Sequence, residues 1–230
     1  MLASAALAVT AFSASAASLG GISTQDIFAQ SSPASVSVPT EIAQDDFDCN
    51  GSLDGQTDSL GNVWTSHVGN WQCLGSGVVR SQQRQSFAHA TVDISQSTGI
   101  RISTDLERIS TQSNRSGPGL ALFADGIGHL LYVIYERDQD RVILGMNSPT
   151  SGNTILNQID PISDLSSGPM SVEISSMILT VLVNGSLMTY DLNNLNAADR
   201  TYFLSRTRFG LVANNDNFSR FESFAIETLP

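Results

Sequence analysis

The run Thr104-Asp105-Leu106-Glu107-Arg108 places two carboxylates two residues apart. Side chains alternate along a strand, so Asp105 and Glu107 would share a face, where an acid and a carboxylate nucleophile can in principle cleave a glycosidic bond. Arg101 and Arg108 flank the pair, and a solvated charged face is the commoner meaning of such a pattern. The three histidines, His67, His89 and His129, show no metal-ligand spacing, whereas zinc needs several convergent ligands. Calcium suits the chain better, because its Asp, Asn and Gly in loops offer hard oxygen ligands. No Gly-x-Ser-x-Gly elbow, His-Glu-x-x-His helix, P-loop or dinucleotide fingerprint occurs. Trp64 and Trp71 each follow a Gly-Asn step. Either could stack on a sugar ring, although an indole in this position more commonly packs into a core.

Charge narrows the partners. Acidic residues outnumber basic ones 22 to 11, giving a formal net charge of −11, and every basic residue is Arg. A polyanion needs a counterion-releasing basic face, and no Arg cluster supplies one, so nucleic acid is not an expected partner and anionic membrane surfaces are disfavoured. Uncharged glycans and divalent cations remain compatible. Charged residues make up only 14% of the chain, leaving Ser, Thr, Asn, Gln and Gly to form a surface suited to strands and turns.

A scaffold must hold these groups, and the chain reads as a leader, an arm and one domain. An apolar run over 2–12, too short to cross a bilayer, precedes the small-x-small pattern Ala14-Ser15-Ala16. Residues 1–17 are therefore expected to be a signal peptide, although no basic residue precedes the run. Residues 18–44 are expected to be an extended linker, or an arm whose alternating Ser35-Val36-Ser37-Val38-Pro39 adds to a neighbour's sheet. No membrane span is expected.

The domain, 45–230, opens at Asp45-Asp46-Phe47, and short strand candidates follow at 63–67, 71–74, 78–80, 87–92 and 100–106. The strands at 119–124 and 130–136 are apolar throughout, which reads as central strands covered on both faces. Further candidates lie at 142–146, at 153–158, three within 170–192, and at 209–213 and 218–228, with a helical turn within 192–201. Asn184-Gly185 closes a type I′ hairpin, because both central residues need positive φ. Regularly spaced short strands argue an all-β sandwich or barrel. Cys49 and Cys73 flank the strand carrying Trp64; an oxidising compartment would join them as a disulfide, and a reducing one would leave two buried thiols.

Five pieces agree in order with one superfamily. They are Asp45-Asp46-Phe47, the two Gly-Asn steps with their tryptophans, the run 119–144 with its tyrosine hairpin, the run 171–192 turning at Asn184-Gly185, and the run 208–226 ending in Phe221-Glu222-Ser223-Phe224. Together they resemble the concanavalin A-like lectin and glucanase jelly rolls, the laminin G-like domain in particular. The resemblance implies a two-sheet antiparallel jelly-roll sandwich. It also implies a structural calcium where the opening and closing strands meet, with Asp46 and Glu222 as carboxylates. The laminin G-like pattern has an acidic residue before the tyrosine hairpin; this chain has His129 there, with Asp125 close by. Glycanases of the superfamily carry Glu-x-Asp-x-x-Glu on one strand, and that pattern does not occur here.

The first expectation is an exported, non-catalytic jelly-roll module, secreted or at the cell surface, that binds a glycan or a cell-surface protein. Trp64, Trp71, Asp125 and His129 are its expected ligand contacts. The second is a structural subunit of an extracellular fibre or surface layer, self-associating through the N-terminal arm. The third is a glycan-cleaving enzyme using Asp105 and Glu107.

Overall fold

The computed structural model describes residues 38–96, 98–108, 117–160 and 166–230. The expected leader, and the arm as far as residue 37, lie outside them. Turn residues punctuate the apolar alternation into sixteen strands among the described residues. These are β1 (Glu41–Asp45), β2 (Asn50–Ser52), β3 (Thr65–Val68), β4 (Trp71–Leu74), β5 (Val79–Ser81), β6 (Ala88–Asp93), β7 (Ile100–Arg108) and β8 (Gly117–Ala124). They continue as β9 (Leu130–Glu136), β10 (Arg141–Ser148), β11 (Gly152–Ile159), β12 (Gly168–Ser175), β13 (Ile178–Val183), β14 (Ser186–Asp191), β15 (Arg208–Asn214) and β16 (Arg220–Thr228). One α-helix, α1 (Ala197–Leu204), follows β14.

The strands form two antiparallel sheets. The nine-stranded sheet runs β14-β13-β12-β7-β16-β5-β4-β2, with β1 also paired to β16, and the seven-stranded sheet runs β11-β10-β9-β8-β15-β6-β3. Alternation fixes what faces inward. Met170, Val172 and Ile174 of β12 lie opposite Val183, Val181 and Leu179 of β13, and all six are buried in the shared core. Asn184 and Gly185 take φ 48° and 77° in the turn to β14. The turn before β13 is built the same way without glycine: Ser176 and Met177 take φ 48° and 70°. Met177 therefore sits in the turn, and β13 starts at Ile178.

Strands β8 and β9 are buried along their whole length. Leu131, Val133 and Tyr135 join the main core, while Leu130, Tyr132 and Ile134 point the other way and cluster with Phe87, Ala121, Ala124, Ile143 and Val212. Tyr132 lies across Gly145, where a Cβ would stand 2.4 Å from its ring, and its hydroxyl donates to Asn153 Oδ1 at 2.8 Å. Strand pairing also begins earlier than Asp45. Glu41–Asp45, at the end of the expected arm, forms β1 and pairs with β16, placing Gln44 opposite Ala225 and Asp45 opposite Phe224. Ala43, fully buried, anchors it.

Candidate functional site

The two tryptophans correct the expectation of exposed stacking platforms. Trp64 is 0% and Trp71 2% exposed, so neither offers a face to a sugar ring. The Trp64 ring lies 5.0 Å from Phe224 and 5.8 Å from Phe47. Its Nε1 donates to Asp45 Oδ2 at 2.6 Å, and Asp45 Oδ1 accepts from the Phe47 amide at 2.6 Å. Burial raises the Asp45 carboxyl above its ordinary pKa, against the pull of those two bonds. A Cys49–Cys73 disulfide, with Cα atoms 5.5 Å apart, ties this corner to β4.

Trp71 differs from Trp64 in one respect. Its ring packs 5.8 Å from Phe221, but its Nε1 is buried without a hydrogen-bond partner among the described residues, as is Ser66 Oγ. Both residues line a pocket of about 410 Å³, together with Ser52, Asp54, Gly69, Asn70, Gln72 and Gln82. The volume lies within the roughly 300–1,000 Å³ range of ligand clefts. Its wall comes from β2, β3, β4 and the loops beside them, and β2 and β3 are edge strands of the two sheets. The Ser66 amide donates to Asp54 Oδ1 at 2.8 Å, which fixes β3 against the wall. The amide and hydroxyl side chains of this lining can hydrogen-bond a polar ligand from several sides.

Asp125 and His129 do come together, at the loop between β8 and β9. Strand β8 carries one extra residue against β15, with Phe123 at φ 50°, and this bulge delivers Asp125 to the loop. Asp125 Oδ1 accepts from the Ile127 and His129 amides at 2.8 and 2.9 Å. Its Oδ2 takes His129 Nδ1 at 2.8 Å and the Tyr202 hydroxyl of α1. Burial pushes the Asp125 carboxyl up, but the bonds from Tyr202, Ile127 and His129 outweigh it and hold the group at about 2. Burial and Asp125 together push the Tyr202 hydroxyl up to about 12. Asp125 therefore organises the loop, with both carboxylate oxygens engaged.

Beneath the loop, both ring nitrogens of buried His89 face backbone carbonyls, Nδ1 2.9 Å from Phe87 O and Nε2 3.0 Å from Asp125 O. A neutral ring can donate to only one of them. His67 lies 5.2 Å from His89, ring to ring, and burial, His89 and Arg208 lower it to about 4. Local sequence carries no signal for Tyr202, which reaches Asp125 from a distant helix.

Asp105 and Glu107 share the outer face of the nine-stranded sheet, as alternation requires. Ser223 Oγ donates to Asp105 Oδ2 at 3.0 Å, and Arg220 Nη1 stands 3.4 Å from Glu107 Oε2. A groove of about 550 Å³ on that face is lined by Arg101, Asp105, Glu173, Leu182 and Leu187, among others. No group of three or more His, Cys, Asp or Glu among the described residues is placed to hold a metal ion. Asp46 and Glu222 are both exposed. That pair does not fit calcium by itself, since the ion takes about six to eight oxygen ligands.

Two sheets in this order form the concanavalin A-like jelly-roll sandwich. Among solved structures the chain is similar to the carbohydrate-binding module CBM66 from Bacillus subtilis, at 12% identity and a TM-score of 0.51, covering 77% of this chain and 94% of that one. It is also similar to the Ca2+-bound exoplasmic/lumenal domain of VIP36, at 11% identity and a TM-score of 0.51, covering 82% and 93%. The catalytic domain of a laminarinase from Thermotoga maritima matches at 12% identity and a TM-score of 0.51, covering 84% and 99%. No family model and no curated protein matches the chain. At these identities the likeness establishes the fold alone.

Proposed function

We propose that the chain is a non-catalytic module, secreted or at the cell surface, that binds a glycan in the pocket at the two sheet edges. The observation that carries this reading is the edge pocket itself, rich in neutral polar side chains, with the unpaired Trp71 Nε1 and Ser66 Oγ buried in two of its lining residues. A polar group buried without a partner costs about 1–3 kcal/mol. A sugar hydroxyl both donates and accepts, so it can pair with an indole N–H and with a serine hydroxyl. Asn70, Gln72, Gln82 and Ser52 add neutral donors and acceptors around it. The disulfide suits an oxidising exterior, and a carbohydrate-binding module shares the fold. The non-catalytic part rests on Asp105 and Glu107, which lie outside this pocket and are engaged by Ser223 and Arg220.

The test is a glycan array probed with the full chain, followed by titration of the best ligand against Trp71→Phe, which removes the N–H and keeps an aromatic ring, and against Ser66→Ala. Each variant is expected to weaken binding about tenfold, equivalent to about 1.4 kcal/mol. Unchanged affinity in both variants would overturn the assignment, as would an array on which nothing binds. Glycan cleavage that is lost in Glu107→Gln would overturn the non-catalytic part.

A further inference from the structure

A second pocket, of about 180 Å³, lies between the Asp125 loop and the connection from α1 to β15, lined by Asp93, Asp125, Gly126, Arg206, Thr207 and Arg208, among others. Its lining includes two arginines and two aspartates, whose formal charges balance. Asp93 accepts from Thr207 Oγ1 at 2.5 Å and from Arg208 Nε at 3.4 Å. Asp125 is filled by Tyr202, His129 and two amides. Arg206 makes no ion pair among the described residues, and its Nε is buried without a hydrogen-bond partner. Its guanidinium carbon sits 4.6 Å from the centre of the Tyr202 ring, so the fork is held in place before anything binds.

Gly126, which lines the pocket, lies near two side-chain nitrogens. A Cβ there would stand 3.5 Å from His67 Nδ1 and 3.6 Å from Arg208 Nη1. The space is small for a whole sugar beside the 410 Å³ of the edge pocket, but adequate for one planar acid group. The guanidinium of a stacked arginine, next to a second arginine already part-committed to Asp93, matches a planar carboxylate in geometry.

We propose that this pocket, through Arg206 with support from Arg208, binds the carboxylate of an acidic sugar such as a uronic acid. The carboxylate assignment stands on the pocket itself; only the sugar that carries it rests on the glycan reading. One acid group entering a fixed guanidinium needs no extended basic face, so the assignment is compatible with a net charge of −11.

The experiment follows the Arg206 Nε–H signal of the full chain by NMR while glucuronate, glucose and sulfate are added separately. Glucuronate is expected to give a saturable shift and glucose none, with sulfate weaker because its second negative charge is repelled by Asp93 and Asp125. Arg206→Gln should abolish glucuronate binding, followed by the nearby Gly126 amide, and Arg206→Lys should weaken it about tenfold or more, since a point charge replaces the fork. Trp71→Phe should leave it unchanged, which separates failure here from failure of the edge-pocket reading. Equal response to glucose, sulfate binding tighter than glucuronate, or glucuronate binding that survives Arg206→Gln would each overturn the proposal.

Discussion

Asp125 offers a quantitative test of how the β8–β9 loop is held. Its carboxyl titrates at about 2 in the folded chain against an ordinary 3.8. A tenfold difference in proton affinity is about 1.4 kcal/mol, so the ionised group contributes about 2 kcal/mol to stability. Because the folded value is depressed, that contribution is complete above the ordinary value of 3.8 and is lost as pH falls from there through about 2. Asp125→Asn keeps an oxygen for the Ile127 and His129 amides but turns an NH2 toward His129 and Tyr202. Urea unfolding of both proteins between about pH 6 and about pH 3 should show a wild-type advantage of about 2 kcal/mol that is flat at the upper end and shrinks toward the lower. Acid-sensitive groups that do not interact with Asp125 are common to both proteins and cancel in the difference, whereas His67, which the Asp125 charge pushes up, does not. An advantage that stays constant down to about pH 3, or grows, would refute the reasoning. Asp45 has the opposite sign: its raised pKa means that protonation favours the folded state, so its own contribution improves as pH falls.

Two further outcomes concern the scaffold. Gly145→Ala should cost about 1–3 kcal/mol in chemical denaturation, because the new Cβ falls 2.4 Å from the Tyr132 ring; a neutral result would mean that the ring moves aside freely. Ser176→Asn should stabilise the turn before β13 by about 0.5–1 kcal/mol, since Ser176 holds φ 48° and is exposed; a lower melting temperature would contradict that account.

Local pattern made much of the sandwich readable. Asn184-Gly185 announces its turn because few other residue pairs accept two positive φ values, and the unbroken apolar runs of β8 and β9 correctly mark strands covered on both faces. Strand β1 was hidden because Glu41-Ile42-Ala43-Gln44-Asp45 has weak alternation and little apolar bulk. It is recruited by β16, nearly the whole chain away. The sites were less legible for the same reason. Whether Trp64 or Trp71 keeps a free N–H depends on Asp45 reaching one ring and no described residue reaching the other. Tyr202 finds Asp125 across 77 positions. Arg206 reads as an ordinary surface charge until Tyr202 lies under it.

The pairing of β1 with β16 also sets how the domain would respond to a pull. The Thr40 amide donates to Thr228 Oγ1 at 3.0 Å and the Thr228 amide to Thr40 O at 2.8 Å, so the first and last strands leave the sheet side by side at the same end. Force applied between those ends loads the ladder one rung at a time, as in a zipper, rather than shearing many rungs at once. Peeling from the front would run along β1 and stop at Cys49, where the bond to Cys73 locks the chain to β4. Under tension this module yields its outer strand early and keeps its pockets anchored behind a covalent stop.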